Sequence, residues 1–281
     1  GNKVYNVEGF ELVFRKNVVL SLRTLLKNLS KISYKNYLRL KNVKNTVEKF
    51  NPQIVISDWE IFSSFVAHDN KIPLISVDNQ HYLIYGNFSF PERYRIQYLK
   101  AVAILKSLMF DAKYYLVMAL PGYNLINKPN VFSITPLLRN EILNAKPKSK
   151  DYIFVYQSTK SYEKLIDILK RIKYKFVIYG FDMDEARGNL IFKKFNDGKE
   201  FFDDLMNAKA VISNGGFTLI SESLYLNKPM LIIPIKKHFE QMLNALYIKN
   251  NNYGEYFTDL NETNVVEFIM NLKKYKADSV K

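Results

Sequence analysis

The chain has 281 residues, 48% hydrophobic and 24% charged, a balance that is typical of a folded protein and leaves enough apolar material for two domains. It contains no cysteine, which excludes disulfides, cysteine nucleophiles and thiolate metal sites and is typical of the cytoplasm. The formal net charge of +14 indicates an anionic partner, and charge alone does not distinguish a nucleic acid, a membrane face and a phosphorylated substrate.

Short apolar runs alternate with helix-length segments along the chain, which predicts an α/β protein with parallel sheets flanked by helices. The predicted strands are Lys3–Val7, Phe10–Phe14, Gln53–Ser57, Pro73–Val77, Tyr114–Met118, Tyr152–Tyr156, Phe176–Tyr179, Ala210–Ser213 and Met230–Ile233. A polar stretch without apolar periodicity, from Asn140 to Asp151, predicts the domain linker. We therefore expect one domain over residues 1–145 and a second over residues 146–281.

The segment from Arg15 to Phe50 is unusually basic, with ten Lys or Arg and a single acid. Basic residues recur every four positions from Arg23 to Arg39 beside an apolar stripe, which predicts one or two basic amphipathic helices. Such a helix either shows a solvated face or contacts an anionic membrane surface or a lipid-linked phosphate. Nucleic acid is the less favoured partner.

Two predicted strands of the first domain end at ionisable side chains. Asp58 follows the first, and Asp78 and His81 follow the second. Ligands of open parallel sheets bind at the carboxyl ends of the strands, so these three residues are candidates for a general base. The alternative is ordinary turn chemistry, because Asp and Asn favour such loops in any α/β protein.

In the second domain, the strand that ends at Ser213 continues into a glycine turn, Asn214–Thr218, and then a helix. The free N–H groups and the positive end of a helix dipole bind a phosphate or diphosphate without a metal. Glu222 falls near the second turn of this helix, where its carboxylate can accept hydrogen bonds from a ribose diol. The loop after the next strand carries His238, Glu240 and Gln241 and should lie beside the glycine turn.

Three blocks of sequence, taken in order, resemble a known family: Gly-Gly-Phe-Thr-Leu-Ile-Ser-Glu (215–222), Lys-Pro-Met-Leu-Ile-Ile-Pro (228–234) and Glu-Gln-Met-Leu-Asn-Ala (240–245). They are similar to the carboxyl-terminal donor site of GT-B glycosyltransferases, above all the peptidoglycan N-acetylglucosaminyltransferases of glycosyltransferase family 28 and uncharacterised archaeal and bacterial relatives. A glycine pair before a helix is by itself a weak signal, since many α/β proteins use it only for close packing. The resemblance implies two Rossmann-like domains with a cleft between them. Members open with a strand and a glycine-rich loop that the first domain is expected to lack.

The resemblance also implies roles for particular residues. Glu222 would bind the ribose, Gln241 the donor sugar, and the glycine turn the diphosphate, whereas His238 would contact the donor or merely cap the loop. Ser158 or Thr159 would face the diphosphate or cap a helix, and Phe181 would pack on the base. The full set of expected donor-binding residues is Ser158, Thr159, Phe181, Asn214, Gly215, Gly216, Thr218, Glu222, His238, Glu240 and Gln241.

The expected function is therefore the inverting transfer of a sugar from a UDP-sugar to an acceptor, which could be lipid-linked, at the inner face of the membrane. No cofactor or metal is expected: Asp182-Met183-Asp184 resembles a metal-binding Asp-x-Asp only superficially, and the three histidines are scattered. The most apolar stretch, Tyr98 to Leu120, contains four charged residues and is too polar to span a membrane. The alternatives are a nucleotide-sugar 2-epimerase of the same fold and a non-catalytic protein that binds nucleic acid or anionic lipid.

Overall fold

The computed structural model of the chain describes residues 4, 13–15, 17–20, 23–24, 34–109, 111–158, 162–196 and 198–275. The chain divides into two compact units, one formed by Gly1–Val13 and Val19–Thr135 and the other by Phe14–Val18 and Pro136–Lys281. Two short strands, β1 (Phe14–Arg15) and β2 (Val18–Val19), form a separate two-stranded sheet. Among the described residues, no helix is both long and apolar enough to cross a membrane.

The first unit is built on a four-stranded parallel sheet in the order β3, β4, β6, β8. Its described elements are α1 (Tyr34–Phe50), β3 (Val55–Ser57), α2 (Ile61–Asp69), β4 (Leu74–Asp78), α3 (Tyr82–Tyr85), β5 (Gly86–Asn87), α4 (Arg95–Leu108), β6 (Tyr114–Met118), β7 (Asn124–Leu125) and β8 (Val131–Ile134). The helix α2 packs against β3 and β4, and its buried residues include Val66 and Ala67. Such helices connect parallel strands, because the chain must return to the end of the sheet at which the previous strand began.

The second unit contains a seven-stranded sheet in the order β11, β12, β10, β9, β13, β14, β15, parallel except for the edge strand β11. Its elements are α5 (Asn140–Leu143), β9 (Ile153–Tyr156), α6 (Glu163–Lys170), β10 (Phe176–Tyr179), β11 (Glu185–Arg187), β12 (Leu190–Phe192), α7 (Lys199–Asn207), β13 (Ala210–Ser213), α8 (Phe217–Tyr225), β14 (Met230–Ile232), α9 (Phe239–Asn250), β15 (Gly254–Tyr256) and α10 (Glu262–Met270). The central strands β9, β10 and β13 are buried on both faces or nearly so, as helix-covered parallel strands are.

Leu165 and Leu169 of α6 and Phe268 of α10 pack on the core side of this second sheet together with Ile153 and Phe176. All five side chains have almost no exposed surface. Both units are thus Rossmann-like layers of parallel sheet and helix, and the predicted fold class is confirmed.

Seven predicted strands correspond to β3, β4, β6, β9, β10, β13 and β14, within two residues at either end. The sequence did not indicate β8, β12 or β15, which extend the sheets. The predicted strands Lys3–Val7 and Phe10–Phe14 lie almost wholly outside the described residues. The expected lack of an opening strand and a glycine-rich loop concerns the same part of the chain and stays a prediction. Of the basic segment Arg15–Phe50, the structure shows α1 over its second half.

The segment from Asn140 to Asp151, predicted as a linker, is bonded to the second unit. The Ile142 side chain is fully buried, and α5 packs against α7. The Lys148 N–H donates to Asn207 Oδ1 at 2.8 Å, and the Lys150 N–H donates to the Asn207 carbonyl oxygen at 2.6 Å. The change from one unit to the other falls earlier, between Thr135 and Pro136.

Candidate functional site

Three loops meet at the carboxyl edge of the second sheet, where β9, β13 and β14 are neighbours. The Asn214 side chain joins them: its Nδ2 donates to Gln157 Oε1 at 2.8 Å and to the Ile233 carbonyl oxygen at 3.1 Å. Its Oδ1 accepts from the Ser158 N–H at 3.0 Å and from Ser158 Oγ at 3.3 Å. Both donors and both lone pairs of this buried amide are therefore used, and one residue sets the spacing of all three loops.

The glycine turn that follows Asn214 brings backbone close to the amino end of α8. Gly215 has φ +87°, and a Cβ there would lie 2.8 Å from Ile232 Cγ2, so only glycine fits without strain. Gly216 is the N-cap of α8 and provides no capping side chain, and both Gly216 and Thr218 are exposed. The first-turn N–H groups of α8, which have no intrahelical acceptor, face this exposed end. Such an arrangement binds anions.

The loop between β14 and α9 lies beside the glycine turn. Gln241 Oε1 accepts from the Ile235 N–H at 2.9 Å, and Asn244 Nδ2 donates to the Gly215 carbonyl oxygen at 3.0 Å. His238 is the N-cap of α9, and its Nδ1 accepts from the Gln241 N–H at 3.4 Å. Burial lowers the pKa of His238, which keeps its ring neutral and able to accept that bond. Glu240 lies half-buried in the first turn of α9.

The opposite side of this loop is bonded to the segment 14–18. The Lys236 N–H donates to the Asn17 carbonyl oxygen at 2.8 Å, and Asn17 Nδ2 donates to the Pro234 carbonyl oxygen at 3.5 Å. Asn17 is buried and has φ +58°. The backbone that precedes Gln241 is thus fixed from both sides.

Glu222 lies on α8 with only 1% of its surface exposed. Its Oε1 is 3.5 Å from an Arg139 guanidinium nitrogen and has no hydrogen-bond partner. Burial raises the pKa of the Glu222 carboxyl; Arg139 opposes that shift, and Glu141 adds to it. A buried carboxylate with unused acceptor capacity can receive donors from a ligand.

The remaining expected donor contacts are less well defined. The Ser158 hydroxyl is exposed and bonded to Asn214, and Thr159 lies outside the described residues. Phe181 follows β10, packs partly into the core, and meets the Phe192 ring edge-on at 6.1 Å between centroids. Asp182 and Asp184 are exposed in the loop after β10. No group of three or more His, Cys, Asp or Glu side chains in the described part of the chain is placed to hold a metal ion.

At the carboxyl edge of the first sheet, Asp78 and His81 form a buried pair. Asp78 Oδ2 is 2.7 Å from His81 Nδ1, and Asp78 Oδ1 accepts from the His81 N–H at 2.8 Å. Burial opposes ionisation of Asp78, but the hydrogen bonds from His81 and Ser76 outweigh it and hold the pKa of that carboxyl below its usual value. The contact with a carboxylate places a proton on Nδ1, so in the neutral form of the ring Nε2 is the acceptor.

Asp58 follows β3 with much of its surface exposed; partial desolvation of its carboxyl, together with the nearby charge of Asp78, raises its pKa. Because β3 and β4 are paired in parallel, the three candidate bases lie at or just after the ends of their strands, at the same edge of the first sheet. The His81 ring is only 5% exposed and packs in a cluster with the rings of Tyr85 and Tyr115, with centroids 6.0 Å and 4.8 Å away.

Four residues of this geometry were not singled out from the sequence: Asn17, Arg139, Gln157 and Asn244. Asn244 belongs to the third sequence block, so its position was visible although its bond to the glycine turn was not. Arg139 and Asn17 are remote in sequence from the residues they contact. No local pattern indicates such contacts.

Comparisons with known proteins show which sequences and which fold this chain resembles. The model of Glycosyl transferase family 1 matches residues 2–273. An uncharacterised glycosyltransferase of Methanosarcina acetivorans is 24% identical over 279 residues, which cover 88% of this chain and 68% of the relative. The UDP-N-acetylglucosamine–N-acetylmuramyl-(pentapeptide) pyrophosphoryl-undecaprenol N-acetylglucosamine transferase 3 of Bacillus cereus is 35% identical over 95 residues, or 28% of this chain and 27% of that protein.

Among solved structures, the kitacinnamycin glycosyltransferase superposes with a TM-score of 0.60 at 14% identity, covering 90% of this chain and 74% of that one. At this identity the likeness shows the fold alone, which is GT-B.

Proposed function

We propose that this chain, which belongs to Glycosyl transferase family 1, takes a UDP-sugar as its donor and transfers the sugar with inversion to a lipid-linked acceptor. Family membership makes it a glycosyltransferase; the nucleotide, the acceptor and the stereochemistry are the proposal. The observation that carries the proposal is the junction of three loops at Asn214 beside the open amino end of α8. Support for uridine comes from the Bacillus cereus relative, whose name includes a UDP-sugar.

In the proposed complex, the diphosphate lies at the amino end of α8, against the glycine turn and Thr218, with Ser158 beside it. Glu222 accepts hydrogen bonds from the two ribose hydroxyls, and Phe181 packs on the base. The amide NH2 of Gln241, which takes no part in its bond to Ile235, donates to the sugar. Because His238 already caps α9, we propose that it fixes the conformation of the loop and does not contact the donor. We place Glu240 next to the sugar.

The proposed reaction needs no metal and no cofactor. The bond between the anomeric carbon and the diphosphate oxygen breaks, and the leaving UDP carries the negative charge that develops. The N–H groups and dipole of α8 stabilise that charge at a helix terminus, which is the role a divalent cation would otherwise have. Activity is therefore expected to survive a chelator.

The acceptor hydroxyl attacks the anomeric carbon from the face opposite the diphosphate, and its proton must pass to a base. We assign this role to His81 Nε2, because Asp78 holds the proton on Nδ1 and stabilises the imidazolium that forms. Asp58 is the alternative base, and its raised pKa favours proton uptake.

A lipid-linked acceptor is supported by the undecaprenol in the name of the Bacillus cereus relative and by the net charge of +14. Residues 25–33 of the predicted basic segment lie outside the described residues, but α4 shows a surface of the expected kind. Ile96, Leu99 and Ile104 are exposed on it by 68%, 55% and 41%, with Lys100 and Lys106 exposed beside them. Exposed aliphatic and basic side chains on one helix suit an anionic membrane surface.

Donor binding is tested by calorimetric titration with UDP in the presence and absence of EDTA. We expect one site per chain, no effect of EDTA, and at least about a tenfold loss of affinity in Glu222→Gln, since each hydrogen bond to a charged group is worth about 1.5–3 kcal/mol. Glu262→Gln, an exposed glutamate in the first turn of α10, is the control and should bind normally. Failure of the unaltered protein to bind millimolar UDP would overturn the proposal.

Transfer is tested with a UDP-sugar and a polyprenyl-phosphate-linked acceptor, with the anomeric configuration of the product read by NMR. Asp78→Asn and His81→Gln should lower kcat by about 10²-fold or more and leave UDP affinity unchanged, because general base catalysis contributes on that scale. Incubation with the donor alone separates transfer from epimerisation. An epimerised nucleotide sugar formed without an acceptor would contradict the assignment.

A further inference from the structure

The ion pair between Glu222 and Arg139 remains unexplained by the roles assigned so far. Glu222 is the most deeply buried carboxylate of the proposed donor site, and Arg139 is the cation with which it pairs, at 3.5 Å. The two residues are remote in sequence but belong to the same unit. An arginine beside a buried glutamate serves either the fold or the site.

The surroundings hold Arg139 in position next to this carboxylate. Its guanidinium lies 4.9 Å from the centre of the Phe202 ring, a cation–π contact. Arg139 is also the N-cap residue of α5, and α5 is tied to α8 because the Tyr225 hydroxyl donates to the Leu143 carbonyl oxygen at 3.3 Å. The arginine is therefore fixed to the helix that carries Glu222.

A ribose diol places a specific demand on Glu222. Two hydroxyl groups donate well to a carboxylate, whereas a protonated carboxyl has lost acceptor capacity and carries a proton of its own. Burial favours the protonated form, and so does Glu141 in the first turn of α5. In the part of the chain that the structure describes, Arg139 is the charge that favours ionisation of Glu222, and Glu141 opposes it.

We propose that Arg139 is a positioning residue for donor binding: it keeps the buried Glu222 ionised and oriented so that both oxygens can accept the ribose hydroxyls. This inference rests on the proposed donor site. Arg139 touches the glutamate and not the nucleotide, so its contribution depends on the diol and on pH.

The test compares UDP affinity of the unaltered protein and of Arg139→Gln from pH 6 to pH 9. Without the guanidinium, the pKa of Glu222 rises further, so the variant binds UDP more weakly at pH 6 and approaches normal affinity at pH 9. Each unit of added pKa shift lowers affinity at the acidic end by up to about tenfold. The ratio of the two proteins at each pH cancels ionisation of the ligand itself.

The control ligand is 2′,3′-dideoxyuridine diphosphate, which lacks the diol. If Arg139 acts through Glu222, the variant and the unaltered protein bind this ligand equally at every pH. Arg139→Lys, which retains a cation, should recover most of the UDP affinity. The double variant Arg139→Gln/Glu222→Gln should show no dependence on pH beyond that of the ligand. Thermal melting confirms that each variant is folded.

Two results would overturn the inference. An equal, pH-independent loss for UDP and for the dideoxy ligand would mean that Arg139 contacts the diphosphate directly, and no loss for either ligand would mean that the pair serves the fold alone. Failure of the proposed function is distinguishable, since UDP would then not bind the unaltered protein, or Glu222→Gln would bind it normally.

Discussion

Asn214→Ala is the sharpest test of the idea that one side chain assembles the donor site. The substitution removes four hydrogen bonds. Two of the partners that lose a bond, Gln157 Oε1 and the Ile233 carbonyl oxygen, belong to residues that are 1% and 0% exposed, so water cannot replace the lost donor. A buried polar atom left unpaired costs about 1–3 kcal/mol. Ser158 is exposed and contributes less, so we expect the second unit to lose about 2–4 kcal/mol.

The assay is urea unfolding followed by far-ultraviolet circular dichroism, together with UDP titration. The midpoint should fall while the slope m stays constant, because the surface exposed on unfolding is the same. UDP affinity should fall by at least about tenfold, since the glycine turn and the loop after β9 no longer hold the proposed diphosphate contacts in one geometry.

Asn189→Ala is the matched control. Asn189 Nδ2 donates to the carbonyl oxygens of Leu169, Ile172 and Tyr174 at 2.9, 2.8 and 3.0 Å, near the amino ends of β10 and β12 and therefore at the opposite edge of the sheet. This variant should lose stability and retain UDP affinity. The reasoning is refuted if Asn214→Ala costs less than about 0.5 kcal/mol, or if both variants lose UDP affinity equally.

Three further predictions follow from the geometry. Gly215→Ala should lower the free energy of unfolding by about 2 kcal/mol or more, because φ is +87° and Ile232 Cγ2 lies 2.8 Å from the added carbon. Gly216→Ala meets nothing within 4 Å and should cost only the poorer N-cap preference of alanine, about 0.5–1 kcal/mol. The pKa of Asp78 is lower in the folded protein than in the unfolded chain, so ionised Asp78 stabilises the first unit above about pH 4, the pKa of the unfolded chain. That stability is lost as the pH falls through the pKa of the folded protein. In urea titrations at pH 3 to 6, the stability of Asp78→Asn should therefore differ most from that of the unaltered protein at pH 6. Glu222→Gln should raise the urea midpoint of unfolding at pH 7 while UDP binding is lost. The reason is that the raised pKa of the Glu222 carboxyl means that its ionisation opposes folding. A lower midpoint would instead show that the ion pair with Arg139 stabilises the fold.

The strands that the sequence predicted share a physical property. β9, β10 and β13 are central in the second sheet, so nearly every residue is buried and the strand appears as an uninterrupted apolar run. The strands β12 and β15 have three residues each, and β15 begins at Gly254 and contains a glutamate. Their extended conformation is fixed by pairing with β10 and β14, which lie elsewhere in the chain. Such tertiary determination leaves no local pattern to find.

The residues of the candidate site likewise divide into those that the sequence indicated and those that it did not. The glycine turn, Glu222 and the loop before α9 were visible because each of the proposed anion and sugar contacts requires particular residues at fixed spacing along a strand and the helix that follows it. The pairing of Asp78 with His81 is a contact three residues apart and could be anticipated as close, although its geometry could not. The ion pair between Arg139 and Glu222 depends on how α5 packs against the rest of the unit, which no spacing along the chain indicates.

Two side chains expected to meet the donor already hold the site itself together: Gln241 bonds to Ile235, and Asn214 bonds to the loops after β9 and β14. Asn244, which was not an expected donor contact, bonds to the glycine turn. These bonds order the loops before any ligand arrives, so donor binding loses little conformational entropy in fixing them. Alanine substitutions of these residues therefore remove loop order together with any ligand contact, so UDP affinity and the free energy of unfolding should decrease together. Glu222 differs from these residues, because its Oε1 is buried without a hydrogen bond and makes no hydrogen bond that orders the loops. Its substitution should separate affinity from stability, which makes it the residue at which ligand recognition can be measured on its own.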